Sequence, residues 1–172
     1  MKTAAKEFAK SIGSKLQDLF LKRIKDDQIS IEGTILVGES DPSERRRIQS
    51  LFNRKGYKVE FEADSLQLIA KALKSNPDLI LIDADIKGGY GSLATAHYFR
   101  SRLNIPVILM MSPKSIYRYR NIKYDEIDGM IVKPIKDETI FRNAETAINE
   151  KRYTAVLKRS QPSSFPQVLF QN

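Results

Sequence analysis

Three apolar runs in this chain end in polar groups suited to handling a phosphoryl group. PDLILID (77–83) ends in Asp83, with Asp85 two residues on. TILVG (34–38) is followed by Glu39, Ser40 and Asp41, and DGMIVKP (128–134) delivers Lys133 just before Pro134. A fourth run, IPVILMMS (105–112), lies between PDLILID and DGMIVKP. An aspartate and a lysine brought together at the carboxyl ends of parallel strands make a phosphoryl-transfer site. Carboxylates gathered in one crevice repel unless a cation joins them, and oxygen-rich sites suit Mg²⁺, which takes one or two carboxylates and keeps waters. A nearby ammonium neutralises a phosphoryl oxygen. Lys-Pro at a strand end further suggests a fixed, cis peptide that aims the lysine.

The elements that must position these groups alternate along the chain. Strands are expected at 34–38, 57–62, 77–83, 105–111 and 128–132. Helices are expected at 42–55, 65–75, 91–103, 113–122 and 137–152. Pro42 opens the first of these helices, where its missing N–H costs nothing, and Gly56 stops it. Asp64 caps the second. Five β units alternating with five helices predict a parallel sheet covered on both faces. Right-handed crossovers make it doubly wound, with its chemistry beyond the carboxyl ends of the strands.

Outside this alternation, residues 1–31 form one expected unit. Ala5, Phe8, Ala9, Ile12, Leu16, Leu19, Phe20 and Ile24 recur at helical spacing, so an amphipathic N-terminal helix is predicted with a linker after it. Its stripe could pack on the main domain, pair with a second copy as a homodimer, or lie on a membrane. The main domain spans 32–152. Residues 153–172 read as a basic, flexible tail, rich in Ser, Gln and Pro after Arg159.

Composition narrows the function classes. The 172 residues include no cysteine and one histidine, which removes disulfides, thiol catalysis and most zinc sites, and fits a reducing cytoplasm. No apolar run nears the roughly 20 residues that span a bilayer. The net charge of +8 lies mostly at the ends. Residues 1–31 hold seven basic and four acidic side chains, and residues 151–172 hold four basic and none acidic. Such ends are either solubilising or attractive to nucleic acid, an anionic membrane or an acidic partner.

The order ILVGESDP, PDLILIDADIKGGYG, IPVILMMSP and DGMIVKPIKDE over residues 34–150 resembles the receiver domain of bacterial response regulators. The resemblance implies a flavodoxin-like strand order 2-1-3-4-5. It implies a two-component partner, a histidine kinase or phosphotransfer protein, that gives its phosphoryl group to Asp83. It implies no enzyme activity beyond Mg²⁺-dependent self-phosphorylation of Asp83 from a phosphohistidine or a small phosphodonor. The acids near the metal would be Glu39 and Asp83, with Asp41 and the backbone of Asp85 as further ligands. Lys133 and Ser112 would contact the phosphoryl group.

Three positions depart from the family's pattern. Ser40 stands where the direct metal ligand is expected, so Mg²⁺ binding would be weak. Met111 stands where a switch hydroxyl is expected, and Met130 where a switch aromatic is. Two readings therefore stand side by side: slow phosphorylation at Asp83, or a pseudo-receiver that signals by contacts alone. A nucleic-acid or membrane-surface adaptor using the basic ends is the alternative from another class.

Other motifs carry less. KGGYGS (87–92) lacks the ending of a phosphate loop and reads as a tight turn. His97 has no partner acid in sequence. Arg45, Arg46 and Arg47 lie on the first helix, the face similar proteins offer to kinases. Tyr117, Arg118, Tyr119 and Arg120 lie on the fourth, the usual output face. No output module follows residue 152, which points to a stand-alone protein.

Overall fold

The computed structural model describes residues 33–121 and 127–160. The expected N-terminal helix, and residues 161–172 of the expected tail, lie outside the described residues. Five strands, β1 (Thr34–Gly38), β2 (Lys58–Glu62), β3 (Leu79–Asp83), β4 (Val107–Met111) and β5 (Gly129–Val132), form one parallel sheet in the order β2-β1-β3-β4-β5. The helices are α1 (Pro42–Asn53), α2 (Ser65–Ser75), α3 (Gly91–Leu103), α4 (Ile116–Tyr119) and α5 (Asp137–Ser160). This is the doubly wound sheet expected from the alternation, in the flavodoxin-like strand order that the receiver resemblance implies.

Burial explains the sequence pattern. β3 and β4 are buried at every position, so they read as continuous apolar runs. Leu36, Ile80, Ile82 and Leu109 pack with Leu68 and Ala72 of α2 and with Ala96 and Phe99 of α3. On α1, Phe52 meets Tyr57 edge-on at 5.8 Å and Phe141 of α5 at 6.1 Å. The edge strand β5 is less covered, leaving Met130 and Val132 exposed.

Local signals set the helix starts. Asp41 and Asp64 cap α1 and α2, each accepting from two backbone N–H groups. Asn76 and Asn104 close α2 and α3 with left-handed backbone at φ 42° and 52°. Asparagine tolerates this conformation better than other side chains.

Two expected boundaries are corrected. The fourth helix, expected over 113–122, is a single turn at Ile116–Tyr119. Pro113 and the hydroxyls of Ser112 and Ser115 shape a turn before it, with Ser115 N–H bonded to the Ser112 carbonyl at 3.0 Å. The last helix, expected to end at 152, runs on to Ser160. No glycine or proline interrupts it before Pro162, so residues 153–160 are helix rather than tail.

Candidate functional site

Strand register assembles the site. Gly38 pairs with Ile82, which sets Glu39 beside Asp83 at the sheet's carboxyl edge. Met111 pairs with Val132, and the Lys133 N–H donates to the Met111 carbonyl at 2.7 Å. The Lys133–Pro134 peptide is cis. Gly38 is tightly packed: a Cβ there would lie 2.7 Å from Ile86 Cδ1 and 2.8 Å from Leu68 Cδ2, so those side chains would have to shift.

Lys133 is the centre of the cluster. Its Nζ donates to Glu39 Oε2 at 2.7 Å and to Asp83 Oδ2. Glu39 is 2 % exposed and Asp83 is 9 % exposed, so both carboxylates rely on this ammonium. Their other oxygens are also occupied. Glu39 Oε1 accepts the Asp41 N–H at 2.9 Å, and Asp83 Oδ1 accepts the Asp85 N–H at 2.6 Å. Burial raises the Glu39 carboxyl above the usual glutamate range, opposed by the bonds from Asp41 and Lys133. Burial also acts against the Lys133 ammonium. The hydrogen bonds to Asp83 and Glu39 outweigh it and hold the lysine above its ordinary value.

The remaining expected ligands divide. Asp41 makes no hydrogen bond to Lys133, although the lysine's charge reaches it. Its Oδ1 accepts the Ser43 N–H at 2.6 Å and the Glu44 N–H at 3.2 Å as the α1 cap. These bonds, led by the Ser43 hydroxyl, lower its pKa. Ser40 is exposed. Met111 is buried and has no hydrogen to donate. Met130 stands exposed on β5. Of the arginine triplet, Arg45 Nε donates to the Glu39 carbonyl at 2.6 Å, Arg47 pairs with Glu44 and Asp137, and Arg46 is exposed.

Asp85 anchors a second cluster. Ser112 Oγ and Ser115 Oγ donate to its Oδ2 at 3.1 and 2.6 Å, and Arg118 Nη1 donates to Oδ1 at 3.1 Å. The bond from Ser115, then that from Ser112 and the Arg118 charge, lower the Asp85 pKa against burial. The Tyr119 hydroxyl reaches the Ala84 carbonyl at 2.9 Å and the Ser92 hydroxyl at 2.8 Å. Ser112, expected at the phosphoryl group, is thus bonded to Asp85. Tyr119 and Arg118, expected on an output face, turn toward the loop after Asp83. Tyr117 is 77 % exposed, and Arg120 is exposed too. Sequence reasoning missed Ser115 and Ser92. The Ser112-Pro-Lys-Ser115 spacing, typical of a side-chain-capped turn, was the available signal for the first.

The glycine-rich stretch 87–92 makes a turn, as expected. Gly88 has φ 116°, and a Cβ on it would meet Ser65 Oγ at 2.2 Å. His97 is exposed on α3.

Residues 35–145 match the family model described as the response regulator receiver domain. This chain belongs to the response regulator receiver family. A curated relative, the transcriptional regulatory protein ResD of Bacillus subtilis, is 25 % identical over 133 residues. That match covers 77 % of this chain and 55 % of ResD, so the chain spans about half the length of this relative. Among solved structures, the signal receiver domain of a modulated diguanylate cyclase from Desulfovibrio desulfuricans superposes with TM-score 0.65 at 22 % identity, covering 71 % of this chain and 98 % of that one. The receiver domain of a sensor histidine kinase from Pseudomonas aeruginosa, described with magnesium in its active-site cleft, gives TM-score 0.61 at 21 % identity. It covers 69 % of this chain and 98 % of its own. At these identities the structural likeness concerns the receiver fold. Among the described residues no helix is long and apolar enough to cross a membrane.

Proposed function

We propose that this receiver signals through protein contacts, with Asp83 held in an ion-paired cluster rather than serving as a rapidly turning-over phosphoryl acceptor. The observation that carries the reading is the Lys133 ammonium bridging Glu39 and Asp83, while one oxygen of Asp41 caps α1. Around a cation, this leaves two carboxylates already sharing one ammonium, a neutral hydroxyl at Ser40, and the second oxygen of the capping Asp41. That donor set fits a tight Mg²⁺ site poorly, because Mg²⁺ demands near-octahedral oxygen geometry and dehydrates reluctantly. Magnesium binding would therefore be weak.

The contact surface in this reading is α4 with β5. Tyr117, Met130 and Val132 are exposed there. The neighbouring Arg118 and Tyr119 join that surface to the Asp83–Asp85 turn. A partner, a histidine kinase or another signalling protein, would thus meet a surface whose posture depends on that turn.

Intact mass after incubation with a small phosphodonor and Mg²⁺ tests the proposal. The expected result is no added phosphoryl group on the wild-type chain under conditions that fully modify a competent receiver. The Ser40→Asp, Met111→Thr double variant is expected to gain one and to bind Mg²⁺ at least about tenfold more tightly. Stoichiometric modification of the wild type at Asp83 would overturn it.

A further inference from the structure

A groove between α2 and α3, away from the Asp83 cluster, has no role in the reading above. Its volume is about 770 Å³. Leu66 and Ile69 line it from α2, and Tyr90, Ala94 and Tyr98 from the turn before α3 and from α3 itself. Leu66 is 50 % exposed, Tyr90 is 63 % exposed, and Leu73, one turn beyond Ile69, is 57 % exposed. Positions 66, 69 and 73 share one helical face. Large apolar side chains clustered at the surface mark an interaction site more often than chance exposure does.

The charge at the carboxyl-terminal end of this groove is positive. Neither α2 (SLQLIAKALKS) nor α3 (GSLATAHYFRSRL) contains an acidic residue. Lys71 is paired with Glu60, and Arg100 with Asp128. Lys74 and Arg102 are exposed at the carboxyl ends of their helices and have no carboxylate within ion-pairing distance among the described residues. Asp64, at the opposite end of α2, has its Oδ1 bonded to the N–H groups of Leu66 and Gln67. Because α2 and α3 both return between parallel strands, their basic ends lie at the same end of the groove.

We infer that this groove binds an acidic amphipathic helix of a partner protein, its apolar stripe on Leu66, Ile69 and Tyr90 and its carboxylates at Lys74 and Arg102. The 11 residues of α2 give a track about 16 Å long. That length accommodates about three turns of partner helix, the usual span of helix-in-groove recognition through i, i+3, i+4 and i+7 anchors. A second copy of the same face would offer Lys74 and Arg102 only Asp64, a carboxylate already capping α2, whereas an acidic helix offers several unbonded ones.

The test uses the full ¹⁵N-labelled chain and two 18-residue helical peptides with the same Leu/Ile stripe, one with Glu and one with Lys on the opposite face. The Glu peptide is expected to shift the amides of Leu66, Ile69, Leu73, Ala94 and Ser101 saturably. It is expected to bind about five- to tenfold more tightly than the Lys peptide, the order of two rim charge pairs. The Lys74→Glu, Arg102→Glu variant should reverse that preference, and Leu66→Asp should weaken both peptides while leaving the rest of the spectrum in place. Equal affinity for the two peptides, shifts confined to α4 and β5, or groove amides that move with protein concentration alone would each overturn the inference.

Discussion

The hydroxyl of Tyr119 lies 2.9 Å from the carbonyl oxygen of Ala84, the residue that follows Asp83. A side chain on the short fourth helix is thereby tied to the backbone of the loop that follows Asp83. Arg118, its neighbour, reaches the Asp85 carboxylate from the same helix. The two contacts make α4 and the turn 83–85 one mechanical unit.

Tyr119→Phe should loosen that unit without unfolding the domain. The Ala84 carbonyl keeps its bond from Ser92, at 2.9 Å, so the loss in global stability is expected to be about 1 kcal/mol or less. Local effects should be larger. Amide hydrogen exchange in 112–119 is expected to accelerate, and more so when Arg118→Ala is added, while β1 and β3 keep their protection. Unchanged exchange in 112–119 would show that α4 does not depend on this tie.

Lys133→Met should destabilise the domain by about 2–3 kcal/mol at neutral pH. It leaves two buried carboxylates facing each other without a cation, a change that costs 3–5 kcal/mol where the pair is fully enclosed. The lysine side chain retains 21 % exposure, which moderates the effect. Adding Glu39→Gln should recover about half the loss, because only one buried charge then remains. Urea denaturation of the single and double variants measures both numbers.

Alkaline stability should report on Tyr57 and Lys133. Burial pushes the Tyr57 hydroxyl up to about 12 from 10.0. The folded state therefore favours the protonated phenol. The resulting stability is complete below pH 10 and is lost as pH rises toward about 12. Lys133 has the same sign: its folded value lies above 10.5, so its contribution is present below that pH and lost above it. Denaturation midpoints measured from pH 9 to 12 should fall steeply in the wild type. Tyr57→Phe keeps the ring against Phe52 and should give a shallower fall, with little change at pH 7.

The framework was legible because it rests on periodicity. Continuous apolar runs at 79–83 and 107–111 belong to strands buried on both faces, and their ends fall in register, so Asp83 and Lys133 could be brought together from sequence. The partner preferences inside the site were not legible. Nothing in the spacing says that Lys133 would bridge Glu39 as well as Asp83. Asp41 could be a ligand or a cap, and its proximity to Ser43 and Glu44 on a starting helix decided for the cap. Ser112 sat one residue past the expected hydroxyl position, and its own turn with Ser115 directed it to Asp85. The polar, basic composition of 153–160 suggests a tail, whereas the lack of any helix breaker before Pro162 lets α5 run on to Ser160.

A helix of four residues cannot sustain itself, since nucleation fixes several residues for very few internal hydrogen bonds. α4 is such a helix, and its anchors are a carboxylate and a carbonyl on another loop. Its folding is therefore conditional on the geometry next to Asp83. A protein that gripped Tyr117, as proposed above, would sense whether that single turn is wound or unwound, and so would receive information about a carboxylate it never touches.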